Sequence, residues 1–235
     1  MSGEKKRAFD PLRPFTRLIR SIRKRALHRK FGEEWNARST FQNRSYASYE
    51  AYLEHQKAKL ETHDFADYDT EFRKALRERL AGLDVAWQGR TVLCLAARIG
   101  TEVKAFLDLG CFAIGIDLNP GKENRYVVQG DFHDLQFAPQ SVDVVYTNSL
   151  DHAFDIDRIA KEVLKVLKRD GLFIVEAVQG RDQGVNPGFF ESFFWKNIDE
   201  LIRVFEIAGF RVTRRTPVTR PWPGEAICFT PAAKT

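Results

Sequence analysis

Apolar runs alternating with helical stretches through the second half of the 235-residue chain predict an α/β fold: a mostly parallel sheet with helices on both faces. Three observations carry the prediction. Thr91 to Asp117, TVLCLAARIGTEVKAFLDLGCFAIGID, reads as strand, tight turn at Arg98-Ile99-Gly100, helix closing at Gly110, and second strand ending in an acid. Its strands are continuous apolar runs, as expected when both faces are buried. Two more such runs, VDVVY (Val142–Tyr146) and Leu172–Val178, flank a helix that presents Ile156, Ile159, Ala160, Val163, Leu164 and Leu167 on one face. Finally, FRVTRRT after Gly209 and Glu225–Thr230 can pair as a closing hairpin.

Taken in order, the chain opens on a basic amphipathic helix. Between Pro14 and Phe31 the apolar residues Phe15, Leu18, Ile19, Ile22, Ala26 and Leu27 fall at helical spacing, with Arg and Lys between them. Residues 33–64 set Trp35, Phe41, Tyr46, Tyr49, Tyr52 and Leu53 among polar neighbours and read as helical. A further helix, capped by Asp69 or Thr70, buries Phe72, Ala75, Leu76, Leu80 and Leu83. After Asp117, Asn119-Pro120-Gly121 turns the chain into a short strand at Arg125–Gln129. A helix from about Asp155 to Lys168 follows the fourth strand. Residues 179–195, rich in Gly and aromatics, read as a long loop of the kind that forms lids or binding segments, and a helix from Ile198 to Ala208 leads into the hairpin. The expected domains are a basic arm (1–31), a helical extension (32–86) and a ligand-binding domain (87–235).

Four stretches, VLCLAARIGTE, GIDLNP, GDFHDLQF and VDVVYTNSLDHAFD, resemble in order and spacing the class I S-adenosylmethionine-dependent methyltransferases of the type 11 kind, over roughly Trp87 to Thr230. The resemblance implies a Rossmann-like, seven-stranded sheet closed by the antiparallel hairpin, with S-adenosyl-L-methionine as cofactor. The family's first motif has an acid and three glycines where this chain has Cys94, Ala96, Arg98 and Gly100, so only the last glycine is kept. The resemblance places cofactor contacts at Ala96, Arg98, Gly100, Asp117, Leu118, Asp131, Phe132 and Asn148. Asp117 would accept the ribose hydroxyls, Asp131 would meet the adenine amino group and Phe132 its ring. Glu102, one turn into the helix, is placed to replace the missing acid at the cofactor's amino group. Arg98 either pairs with the cofactor carboxylate or points to solvent.

Methyl transfer is mostly positioning, often helped by a base. His152, at the mouth of the fourth strand, has the residue type to take a proton from a hydroxyl acceptor, oriented by Asp151 or Asp155; the alternative is a packed or solvated histidine. Asn148-Ser149-Leu150-Asp151 lacks the paired prolines and aromatic usual in enzymes that methylate exocyclic amines of bases. The histidines and cysteines share no metal-ligand spacing, and Cys94, Cys111 and Cys228 read as buried thiols.

The net charge of +5 is unevenly spread. Residues 1–30 hold eleven Lys/Arg against two acids, +9, and the rest holds 26 basic and 30 acidic residues, −4. Attraction to polyanions therefore belongs to the arm, as a contact with anionic lipid, nucleic acid or the body of the protein. No run of 18 apolar residues is present, and MSGEKKRAFD lacks a secretory signal, so the expectation is a cytoplasmic protein, peripheral to the membrane if the arm anchors it. The expected function is methyl transfer to a small-molecule or lipid/glycan-linked acceptor, at oxygen. Its rivals are an RNA methyltransferase clamped by the arm, a non-catalytic scaffold, and a nicotinamide dehydrogenase, whose glycine fingerprint Ala96–Thr101 fits poorly.

Overall fold

The computed structural model describes residues 13–32, 34–37, 40–59 and 66–233. The first twelve residues of the expected arm and residues 60–65 of the expected extension lie outside them. Helix α1 (Arg13–Phe31) comes first, then strands β1 (Trp35–Ala37) and β2 (Phe41–Arg44), and helix α2 (Tyr49–Lys57). The expected helical extension is thus only part helix. β1 and β2 form an antiparallel pair, and β2 also pairs with β8 (Phe193–Trp195), which emerges from the segment read as a loop. Phe41 stacks on Phe193 across that pair, a long-range contact that local sequence pattern does not display.

Helix α3 (Ala66–Ala81) starts before the expected caps. Asp69 lies inside it and accepts from Thr101 Oγ1 at 2.8 Å and Lys104 Nζ at 2.9 Å, fastening α3 to the next helix. Then come β3 (Thr91–Leu95), α4 (Thr101–Leu107), β4 (Phe112–Asp117), β5 (Val127–Gln129), β6 (Val142–Thr147), α5 (Ile156–Val166) and β7 (Leu167–Val178). The chain ends in α6 (Ile198–Ala208), β9 (Phe210–Val218) and β10 (Gly224–Pro231). The main sheet has seven strands in the order β5-β4-β3-β6-β7-β10-β9, parallel from β5 through β7, with β10 antiparallel to both β7 and β9.

Two cores flank this sheet because successive strand residues alternate faces. Leu93, Leu95 and Val145 join α5 and α6 on one side; Val92, Cys94 and Val144 join α3 and α4 on the other. The cysteines at 94, 111 and 228 are buried free thiols. Gly115 lets α4 close onto β4: a Cβ there would sit 2.7 Å from Ala97 Cβ and 2.9 Å from Val103 Cγ2. The sheet order reverses between β3 and β6, so the ligand crevice is expected beyond the carboxyl ends of β3, β4 and β6.

Candidate active site

A cleft with about 520 Å³ of empty space, its open mouth included, lies at that place. Ala96, Arg98, Asp117, Leu118, Gly130, Phe132 and His152 line it from the strand ends, and Tyr52, Gln56 and Lys59 close it from the segment of α2 and the residues just after it. Six of the expected site residues therefore meet around one space.

The turn after β3 keeps a glycine-like backbone without the glycines. Ala96 and Arg98 have φ of 51° and 47°, and Gly100 has 82°. Each non-glycine residue in this region costs on the order of 1–2 kcal/mol, and hydrogen bonds hold the turn against that cost. Ala97 N donates to Ile116 O at 2.9 Å, Gly100 N donates to Ala97 O at 2.6 Å, and Asn124 Nδ2 donates to Arg98 O at 3.0 Å. Arg98 N and Asn119 N donate to the two carboxylate oxygens of Asp117 at 2.9 and 2.8 Å. The acid at the end of β4 is thereby fixed in orientation at the cavity wall, with further lone pairs for a ligand diol.

Asp131 differs from its expected role. Burial raises its pKa, but hydrogen bonds from His133 and Tyr49 outweigh it and hold the carboxyl below the usual range. Oδ1 accepts from His133 N and Nδ1 at 2.9 and 2.8 Å, and Oδ2 accepts from Tyr49 at 2.5 Å. Both oxygens are thus engaged by the protein, and Gly130 and Phe132, not Asp131, face the cavity. His133 is structural: Nε2 accepts from Phe154 N and Asp155 N, each at 3.1 Å.

Glu102 and Asn148 also stand behind the cavity wall. Glu102 is buried, and Asn148 Nδ2 donates to its Oε1 at 3.1 Å. Burial raises the Glu102 carboxyl to about 7. The sequence placed both at the cofactor; the fold pairs them with each other.

His152 lines the cavity, yet its chemistry is not that of a strong base. Its Nδ1 lies 2.8 Å from Phe190 O and so carries the proton, leaving Nε2 as acceptor. Lys59 Nζ sits 2.5 Å from that Nε2. Burial, reinforced by the nearby Lys59 charge, lowers the His152 pKa to about 3. Both ring nitrogens of His152 are therefore engaged by the protein, and its imidazole is neutral at neutral pH. Asp151, expected to orient it, lies 3.8 Å from Nε2 and is not among the cavity-lining residues; its pKa is raised by burial. Asp151, His152 and Glu191 bring three potential ligand atoms within 4.8 Å, a grouping that linear spacing does not reveal, although Lys59 and Phe190 O already engage the two imidazole nitrogens.

Lys59 was absent from the sequence-derived site. Its signal was available: Tyr52, Gln56 and Lys59 fall at the i, i+4, i+7 spacing of one helix face. Tyr52 is fully buried and donates to His152 O at 3.0 Å, which ties α2 to the mouth of β6.

Residues 93–175 match the family described as "Methyltransferase domain". A demethylmenaquinone methyltransferase of Thermobifida fusca is 35% identical over 104 residues, 38% of this chain. The match spans 44% of that relative, less than half its length. Among solved structures, a 1,6-didemethyltoxoflavin-N1-methyltransferase of Burkholderia thailandensis, with its toxoflavin precursor and S-adenosylhomocysteine bound, superposes with a TM-score of 0.65 at 17% identity, covering 85% of this chain and 99% of that one. A SAM-dependent methyltransferase of Aquifex aeolicus gives 0.56 at 15%, covering 71% and 96%. At these identities the superpositions show the fold. Residues 93–175 thus match a methyltransferase domain, and the superpositions extend the fold of S-adenosylmethionine-dependent methyltransferases over most of the chain.

Proposed function

We propose that the protein transfers a methyl group from S-adenosylmethionine to an acceptor held between the ends of β3, β4 and β6 and the α2 cover, with oxygen as the methylated atom and a small or lipid/glycan-linked molecule as the acceptor. The observation that carries this is the Asp117 carboxylate, held by two backbone N–H groups at the wall of a cavity in a methyltransferase fold. Asp117 binds the ribose hydroxyls, Phe132 and Leu118 flank the adenine, and Ala96 and Gly100 let the turn approach the methionyl chain. Arg98 pairs with the cofactor carboxylate. The cofactor supplies an electrophilic methyl on a sulfonium; the residues of this chain orient it, exclude water and present the acceptor in line. Asp131, through Tyr49 and His133, fixes the loop that carries Phe132.

A small-molecule acceptor fits a cleft at the strand ends and agrees with the activities that the toxoflavin and menaquinone relatives' names state. Asp117→Asn and Asp117→Ala should each weaken S-adenosylmethionine binding tenfold or more in isothermal titration. Unchanged affinity in a folded variant would overturn the assignment of Asp117.

Helix α1 supports a second element of the reading, contact with an anionic membrane. It carries eight basic residues and no acid, and Ile19 and Ile22 are 41% and 58% exposed. Paired exposed isoleucines favour lipid over nucleic acid, because phosphate contacts do not need them.

A further inference from the structure

Methylation of an O–H or N–H group leaves a proton to be placed, and His152 does not hold it at neutral pH because burial, first of all, keeps its imidazole neutral. One other nitrogen base stands at the same end of the cavity. Lys59 lines the space directly, and its Nζ is fixed 2.5 Å from His152 Nε2. Because Nδ1 of that imidazole donates to Phe190 O, Nε2 offers only a lone pair. Lys59 must then give a hydrogen to it, and this fixes the direction in which the amine's remaining valences point.

We propose that Lys59 is the proton acceptor of the transfer, with His152 as its positioning residue; this rests on the methyl-transfer reading above. As the acceptor heteroatom bonds to the methyl carbon, the carbon–sulfur bond breaks with its electron pair on sulfur. The heteroatom's proton passes to Nζ, which becomes an ammonium and later returns the proton to solvent.

The surroundings suit both states of the amine. Burial and the positive charge of Arg98, on the turn after β3, bring the Lys59 pKa down to about 7. Asp151 after β6, Glu191 before β8 and Asp117 at the end of β4 pull the other way. Asp151 Oδ1 and Glu191 Oε2 are buried with no hydrogen-bond partner among the described residues. Asp151 Oδ1 lies 3.8 Å from His152 Nε2, and Glu191 brings a carboxylate oxygen within 4.8 Å of an Asp151 oxygen and an imidazole nitrogen, so two carboxylates stand near the ammonium that forms. His55, on α2, faces Lys59 as a neutral ring, its pKa lowered to about 3 first by burial and then by neighbouring cations. With a pKa near 7 the amine is accessible in its free form at neutral pH, and carboxylates stand near the ammonium that forms.

The test is competitive acetylation of the full chain with isotopically labelled acetic anhydride across pH 5 to 11, read lysine by lysine by mass spectrometry, with and without saturating S-adenosylhomocysteine. Lys59 should show a midpoint near 7, about three units below an unperturbed lysine. Arg98→Gln should move that midpoint upward, because the Arg98 charge is the largest coulombic influence that holds it down. Saturation with S-adenosylhomocysteine should leave Lys59 reactive, since the amine faces the acceptor. A midpoint near 10 would overturn the proposal, as would a midpoint that ignores Arg98→Gln, or shielding by S-adenosylhomocysteine, which would put the amine against the cofactor. Failure to bind S-adenosylhomocysteine would overturn the methyl-transfer reading itself, and is distinguishable because the midpoint is measured without it.

Discussion

Glu102 shows how one buried side chain ties the cofactor turn to stability. It lies in the first turn of α4, bonded by Asn148, and burial raises its carboxyl from 4.5 to about 7. A carboxyl with a raised folded pKa keeps its proton on folding. Its penalty is absent below the unfolded value, grows as pH rises through about 4.5 to 7, and is complete above. The size is on the order of 3 kcal/mol. Glu102→Gln, which mimics the protonated form, should match the parent in urea midpoint near pH 4.5 and exceed it at pH 8. Equal midpoints at both pH values would mean that Glu102 is not held protonated by the fold. The residue was visible in the sequence as an acid one turn into a helix, but its partner was not. Asn148 is 46 residues away and reaches it only because β3 and β6 are adjacent strands.

Arg44 does for an element what Glu102 does for a turn. It ends β2, is 4% exposed, and donates to Gly32 O and Phe189 O at 2.6 Å each and to Glu191 O at 3.1 Å. A buried guanidinium saturated by carbonyls staples the segment before β8 to the N-terminal sheet. That same segment supplies Phe190 O to His152, so the staple bears on the cavity wall at His152. Arg44→Met should leave those carbonyls unpaired and cost on the order of 3 kcal/mol. It should also speed limited proteolysis between residues 181 and 191. A variant as resistant as the parent would mean that β8 pairing alone holds the segment. Here sequence reading reached half of the answer: residues 179–195 were recognisable as a segment over the site, but their register with β2 depends on partners some 150 residues away, beyond any local periodicity.

For the whole molecule, charge and shape divide between two parts. Helix α1 is anchored at its carboxyl end, where His28 stacks on Phe189 at 3.8 Å, Phe31 meets His55 and Lys30 pairs with Glu54. Further toward its start, Ile19 and Ile22 are exposed among arginines and lysines. No helix among the described residues is long and apolar enough to cross a membrane. The chain should therefore sediment with phosphatidylcholine vesicles containing phosphatidylglycerol and not with phosphatidylcholine alone, at about 1 kcal/mol per interfacial basic residue. Raising salt or introducing Ile19→Glu with Ile22→Glu should release it. Binding to RNA that persists in the double variant, with no vesicle binding, would overturn the membrane reading. Because the anchored end touches Phe189 and His55, beside the cover of the cavity, such contact would place the acceptor end near the lipid surface.

By itself the sequence determined the α/β class, the mostly parallel sheet, the closing hairpin and the position of Asp117. These are written in local periods of two and 3.6 residues and in turns of a few residues, which propagate along the chain without help from distant partners. The tertiary structure alone decided which side chains share the cavity. Asp131 and Glu102 sit at the expected strand and helix ends but are claimed by Tyr49, His133 and Asn148. Lys59, outside every motif, arrives at His152 because α2 packs across the strand ends. Hydrogen-bond partners and desolvation depend on what lies across space, and those two quantities set the chemistry of each group.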